Sequence, residues 1–373
     1  MRVAVLGAGG IIGPAIVRDL AESDEVEAMV LLDLDGDRAR AVAAEHGGGK
    51  ATAAALDAGD RQALTLVLEE YGLLVNAASY RVNLAAMDAC LAGRCGYLDL
   101  GGLYHVTEQQ LALDEAFAQE GLLAILGCGA GPGKTNVMAA WAAREALDEV
   151  HTVRCASAGV DLDPPDEFSV PYALETLLDE ATLAPVVLRD GAPEEIAPLA
   201  DGGPIAFPDP IGERGSLFTL HSEVLTLGES LGAPCVDFRL SLSPAVHERL
   251  VQLADRPREE ARAVAPAPPS AQTYSAQHVE LTGTRGGQAR TVTATALTVP
   301  HERWGLGGGI VSTGSVAAAT VRLYARGQLP AIGVKAPEAI LSAELLFPEL
   351  TARGCELALR LDPPTPTRTR SEP

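Results

Sequence analysis

A chain of 373 residues with 47% hydrophobic and 21% charged residues can bury a large core and is longer than one ordinary domain, so two domains are expected. Asp and Glu outnumber Lys and Arg by 50 to 28, a formal charge of -22 that repels phosphate backbones and anionic bilayers, so neither a nucleic acid nor a membrane is expected as partner. The six cysteines (Cys90, Cys95, Cys128, Cys155, Cys235 and Cys355) form no CxxC pair and no histidine stands near them at finger spacing, which argues against a disulfide framework or a zinc site, gives no metal, and fits a reducing cytoplasm.

Arg2 and the apolar run from Val3 to Val17 superficially resemble a secretory leader, but the run is too short to span a bilayer and its small residues are glycines of a loop. From there to about residue 126, short apolar runs alternate with helical patterns: RVAVLG, PAIVRDLAES, AMVLLDLD, RARAVAAEHG, LLVNAAS, NLAAMDACLAGR, GYLDL, EQQLALDEAFAQEG and LLAILG. Apolar runs without alternation, separated by helices, predict strands buried on both faces of a parallel sheet. The fold class is therefore α/β, a Rossmann-type doubly wound sheet.

After Gly133 a helix is expected at TNVMAAWAAREALDEV, followed by Thr/Val-rich, partly alternating segments that predict antiparallel strands. Arg285-Gly286-Gly287-Gln288 predicts a hairpin turn, and the Pro/Ala-rich stretch ARAVAPAPPSA a surface connection. Helical spacing returns at VSTGSVAAATVRLYARGQL and PEAILSAELLFPELTARG, and the end lacks apolar content. These readings give a nucleotide domain of residues 1–133 with 312–362, an inserted α+β domain of 134–311, and a disordered tail of 363–373.

The strongest motif is Gly7-Ala8-Gly9-Gly10-Ile11-Ile12-Gly13, between a strand and a helix. Gly7 permits the tight turn, Gly9 or Gly10 lets backbone approach a pyrophosphate, Gly13 allows helix and strand to pack closely, and the helix start offers free amides to phosphate. The third glycine falls one position later than in GxGxxG. Asp33 ends the second strand 20 residues after Gly13, where its carboxylate accepts from ribose hydroxyls and repels a 2'-phosphate. NAD is thus preferred over NADP, with Arg38 and Arg40 nearby keeping NADP open; a helix N-cap is the alternative role for Asp33. Gly129-Ala130-Gly131-Pro132-Gly133-Lys134-Thr135 looks like a phosphate loop but has Cys128 where that motif needs glycine.

Taken in order, LGAGG with Asp33, VNAASYRVN, YLDLGGLYHVT, GCGAGPGKTN, ETLLDEATLAPVVLRDG, TLHSEVLTL and VSTGSVAAATVRLYARG resemble the saccharopine dehydrogenase-like oxidoreductases, most closely the L-lysine 6-dehydrogenase type. The resemblance implies NAD(P)-linked oxidation at a C–N bond, a substrate and oligomerisation domain inserted into the Rossmann domain, and a homodimer or higher homo-oligomer. It also implies that Asn76, Ala77, Ala78, Pro132 and Gly133 line the nicotinamide half of the cofactor. The extra residue in the glycine loop and Lys134 depart from the family pattern.

Oxidation of an amine needs a proton acceptor before hydride leaves and again when water attacks the imine. Asp99, at a strand end among apolar residues and glycines, is the first choice, with Tyr80 and His105 as alternatives; Asp99 would otherwise cap a turn, and Tyr80 would be core or rim. For the substrate, Tyr172, His221, Ser222, Glu223, Asn136 and Tyr80 are candidates, with Glu223 set against an ammonium and Lys134 against a carboxylate unless it is simply solvated. An amino-acid amine, L-lysine first, is the expected substrate. An imine reductase of the saccharopine reductase type, for which Arg81, Arg154, Arg214 and Arg239 are the available arginines, and a non-catalytic NAD-binding sensor are the alternatives.

Overall fold

The computed structural model describes residues 1–254 and 256–361; the expected tail lies outside the described residues. The first part alternates β1 (Arg2–Leu6), α1 (Gly13–Ala21), β2 (Ala28–Asp33), α2 (Gly36–His46), β3 (Ala51–Ala55), α3 (Arg61–Leu68), β4 (Leu73–Asn76), α4 (Asn83–Gly93), β5 (Gly96–Asp99), α5 (Leu103–Leu111), α6 (Asp114–Gln119) and β6 (Leu123–Ile125). The strands β1, β4, β5 and β6 are buried almost throughout, as their unbroken apolar runs require. β3 was not expected. Its sequence, ATAAA, is half-exposed at the sheet edge and carries too little apolar bulk to signal a strand.

The second part holds α7 (Lys134–Ala146), β7 (Glu149–Asp161), α8 (Leu174–Thr182), β8 (Val186–Arg189), β9 (Ala192–Glu195), β10 (Asp201–Ala206), β11 (Glu213–Phe218), α9 (Glu223–Ser230), β12 (Cys235–Ser241), α10 (Pro244–Ala254), α11 (Arg258–Arg262), β13 (Thr273–Arg285) and β14 (Gln288–Thr298). The chain then adds α12 (Gly308–Ala325), β15 (Gly333–Lys335), α13 (Pro337–Ile340), α14 (Ala343–Thr351) and β16 (Cys355–Leu361).

These strands make two sheets. One is parallel, in the order β15-β6-β5-β4-β1-β2-β3, the doubly wound order with one strand added at the β6 edge. The other runs β10-β11-β12-β7-β13-β14-β16, with β8 and β9 paired off β12. It is antiparallel as expected, except that β12 lies parallel to β7. The Gly286–Gly287 turn joins β13 and β14 with Arg285 opposite Gln288.

The expected return of residues 312–362 to the nucleotide domain needs correction at its end. β15 does join the parallel sheet, but β16 pairs with β14 in the second sheet, because its alternating sequence CELALRL suits a half-covered edge. Between them, Asp19 of α1 is fully buried and accepts from Arg322 of α12 at 2.8 Å and from Arg353 at 2.7 Å, while Arg322 also donates to Glu349 at 2.8 Å. A charge removed from water persists only when so paired, so this network pins the late helices onto α1. Among the described residues no helix is long and apolar enough to cross a membrane, and no group of His, Cys, Asp or Glu is placed to hold a metal ion.

Candidate active site

The glycine loop leaves β1 with Gly7 at φ +75°, and a side chain there would reach within 2.5 Å of the Ala78 amide, so the chain can pass over the end of β4 only as glycine. Gly13 is equally constrained, since a methyl group would lie 2.0 Å from the Ala8 carbonyl. Between them, the amides of Ile11, Ile12 and Gly13 find no acceptor among the described residues, whereas Gly7, Ala8, Gly9 and Gly10 are already bonded. Three free donors at the start of α1 suit a pyrophosphate. The later third glycine therefore serves helix packing and leaves the cradle intact.

Asp33 ends β2 half-buried; its Oδ2 accepts from the Gly9 amide at 2.9 Å and its Oδ1 from the Asp35 amide at 3.0 Å. The N-cap of α2 is Asp35 instead, so Asp33 is free of that role. Arg38 pairs with Asp35 and Arg40 with Asp37. Asp33→Ala is expected to weaken NADH binding by about 10- to 100-fold, the loss of one or two charge-assisted hydrogen bonds, and NADPH binding by much less. Equal losses in fluorescence titrations with the two dinucleotides would take Asp33 away from the ribose.

At the carboxyl ends of β4 and β5 lies a sealed polar network. Asn76 donates to Asn83 at 2.9 Å and to the Tyr97 hydroxyl at 3.2 Å, and accepts from the Ala78 amide at 3.1 Å. Asp99 is fully buried and accepts from the amides of Gly101 at 3.0 Å and Gly127 at 2.7 Å, and from Asn83 at 3.1 Å, Tyr97 at 3.0 Å and Gln110 at 2.6 Å. Burial pushes its carboxyl above the usual range against the pull of these donors. With five donors around it and no exposed surface, Asp99 has no lone pair to offer a substrate. The expectation of a general base is corrected accordingly: Asp99 ties the loops after β4, β5 and β6 together. Asn76 likewise faces inward, leaving half-buried Ala77 and Ala78 to line the cofactor side.

The loop from Gly127 to Gly133 is held by Asn136, which accepts from the Gly133 amide at 2.9 Å and donates to Thr226 and Glu338. Pro132 and Gly133 are buried in it. Lys134 departs from both expectations. It is neither solvated nor turned toward a substrate; it is buried beneath the second sheet, bonded to Thr298 at 3.1 Å and Ser312 at 2.7 Å and close to Cys355, and burial lowers its pKa.

On the other side of this loop, three candidates, Tyr172, His221 and Glu223, converge with Glu180 and Thr135. His221 stacks on Phe238 with ring centroids 3.6 Å apart, its Nδ1 lies 2.9 Å from Glu223, and its Nε2 lies 3.6 Å from Glu180. Tyr172 donates to Glu180, and Thr135 donates to Glu223 at 2.8 Å. All but Tyr172 are almost wholly buried. A methyl group at Gly131 would sit 3.1 Å from Ser157 Oγ and 3.3 Å from Glu223, so loop and cluster abut, and Ser157 Oγ has no partner among the described residues. Burial disfavours the imidazolium, but the carboxylates of Glu223 and Glu180 outweigh it and hold His221 above the ordinary histidine pKa. Burial raises Glu180, partly offset by His221 and Tyr172. Ser222 begins α9 beside this cluster without capping it.

Tyr80 stands in a second group. Its hydroxyl donates to Asp179 at 2.8 Å, and burial with that carboxylate pushes its pKa up to about 12, so it remains a neutral donor. Arg81 reaches Asp179 and also Glu175, at 2.5 Å, and Arg258 reaches Asp179 at 2.7 Å. His105 is exposed on α5, edge-on to Tyr104, and its side chain makes no hydrogen bond among the described residues. Of the other arginines considered, Arg154 pairs with Glu280 and Arg239 with Asp237, while Arg214 bonds a neighbouring carbonyl. The sequence reading missed Glu180, Asp179 and Thr135. Adjacent acids in LLDEAT look like the solvated side of a helix, and only their burial reveals otherwise.

Residues 3–125 match the saccharopine dehydrogenase NADP binding domain. Carboxyaminopropylagmatine dehydrogenase of Synechocystis is 28% identical over 320 residues, 78% of this chain and 79% of that protein. A carboxynorspermidine synthase of Vibrio cholerae is 32% identical over 116 residues, 28% of each chain. The saccharopine dehydrogenase (L-Glu forming) of Saccharomyces cerevisiae superposes with a TM-score of 0.73 at 13% identity, covering 97% of this chain and 100% of that one, which shows a shared fold. The amide cradle and the match over residues 3–125 make the first part of the chain an NAD(P)-binding domain, and the chain as a whole is similar to the saccharopine dehydrogenase-like oxidoreductases.

Proposed function

We propose that this protein moves hydride between NAD(P) and the C–N bond of a carboxylated polyamine, a secondary amine that carries an amino-acid group, and that L-lysine is not its preferred substrate. The observation that carries this reading is His221, buried between Glu223 and Glu180 against the loop at Gly131. The names of two relatives, a carboxyaminopropylagmatine dehydrogenase and a carboxynorspermidine synthase, support the substrate class. An acidic cluster and a chain charge of -22 suit a polycation in the way that they repel nucleic acid.

The residues fit the dinucleotide: Ile11, Ile12 and Gly13 would hold its pyrophosphate, Asp33 its adenosine ribose, and Ala77 and Ala78 its nicotinamide end. When bound, it accepts or returns the hydride. The chain supplies the rest. Glu180 and Glu223 attract the substrate ammonium and keep His221 oriented, and His221 takes the amine proton so that the nitrogen lone pair can assist hydride departure. In the reverse sense the same imidazolium protonates the amine formed by reduction of an imine.

The test is an absorbance screen with purified protein, NAD and NADP, against carboxyaminopropylagmatine, carboxynorspermidine, saccharopine, L-lysine and putrescine. Cofactor reduction fastest with a carboxylated polyamine is expected. Turnover of L-lysine alone would overturn the substrate class. Silence throughout, with dinucleotide binding confirmed by calorimetry, would overturn the catalytic reading and favour an NAD-binding sensor.

A further inference from the structure

The group around Asp179 has no part in the proton transfer above. Asp179 is buried on α8, yet its donors come from both halves of the molecule: Tyr80 and Arg81 follow β4 of the parallel sheet, and Arg258 belongs to α11. Guanidinium and phenol donors around a buried carboxylate are how proteins recognise a carboxylate ligand, and here the carboxylate is the chain's own. A cavity of about 140 Å³ lies against Asp179, lined also by Thr182, Arg256 and Arg258. That is the size of a cavity able to take a small ring compound, so the Asp179 side chain has room to turn. The Arg256 guanidinium in its wall forms no ion pair among the described residues.

The position relative to the reacting centre is equally defined. Tyr80 and Arg81 stand two and three residues after Ala78, at the cofactor side of β4. Glu180, the residue after Asp179, reaches His221. Successive helix residues point about 100° apart, so Arg81 and His221 approach neighbouring faces of α8. A carboxylate a few bonds from the reacting amine would then lie near Arg81.

We propose that Arg81 and Tyr80 form the subsite for the substrate's carboxylate, that Asp179 is the internal carboxylate it displaces, and that Asp179 then turns to Arg258 and Arg256. The proposal rests on the carboxylated-amine reading above. The substrate carboxylate takes the place of Asp179 on Arg81 and Tyr80, and its added charge is met because Asp179 keeps Arg258, which it already holds, with Arg256 beside it. An amine without a carboxylate cannot make the exchange. It leaves Arg81 fastened to α8 across the two halves, and specificity follows from that.

The experiment compares carboxyaminopropylagmatine with aminopropylagmatine, the same amine lacking the carboxylate, by calorimetry on NADH-loaded protein and by kcat/KM. Arg81→Gln is expected to lose at least tenfold more affinity for the carboxylated amine than for its analogue. Asp179→Asn is expected to bind the carboxylated amine at least threefold more tightly, because Arg81 is released from a charged competitor. Equal losses on both amines in Arg81→Gln, or weaker binding of the carboxylated amine in a folded Asp179→Asn protein, would overturn the exchange. Binding with this discrimination but without turnover would keep the subsite and overturn the reaction. Binding of neither amine by the unaltered protein would overturn both.

Discussion

His221→Gln is expected to lower kcat for amine oxidation by about a thousandfold, within the 10²–10⁴ that a positioned acid–base group supplies. Gln can still meet Glu223 but cannot cycle a proton. The pH profile makes the assignment specific. Glu223 and Glu180 favour the imidazolium enough to outweigh burial, so His221 holds its proton to a higher pH than a free imidazole does. Amine oxidation needs the neutral ring, so its rate should climb as pH rises through this raised pKa; imine reduction needs the proton and should fall over the same range. In His221→Gln both limbs should be missing. A variant with normal kcat, or one that keeps the limb, would remove His221 from proton transfer.

Asp99→Asn is expected to act on stability. The substitution swaps one acceptor for an NH2 group that must face Asn83, Gln110 and Tyr97, or else the amides of Gly101 and Gly127, and all of these are donors to Asp99 now. Leaving buried donors unmet costs about 2–4 kcal/mol, or roughly 3–5 °C in Tm for a protein of this size. Thermal melts decide the matter. An unchanged Tm with abolished turnover would return Asp99 to catalysis.

These two residues show how far the sequence could be read. The loop from Gly7 to Gly13, Asp33, and the alternation of buried strands and helices depend on neighbours within about thirty residues, and each was legible. Asp99 was found as an unusual carboxylate, but its five donors come from separate loops, and only their convergence separates a buried anchor from a base. His221 and Glu223 stood out because they are close in sequence; Glu180, some 40 residues earlier, did not, since its partner His221 is defined by where α8 meets the segment between β11 and α9. Lys134 was misjudged for the same reason. Its position opens a helix after a glycine loop, which suggests exposure, but Thr298, Ser312 and Cys355 close over it from 164 to 221 residues away.

The late strands also bear on how the protein is made. β15 supplies one edge of the parallel sheet and β16 one edge of the mixed sheet, and both fall within residues 333–361. As the polypeptide emerges from the ribosome, neither sheet has both its edges until residues 333–361 have been synthesised. Folding domain by domain during translation, the usual protection for a chain of this length, stops one strand short in each half. Nascent chains stalled before residue 333 should therefore hold two incomplete sheets with open edges, and depend on chaperones until synthesis resumes.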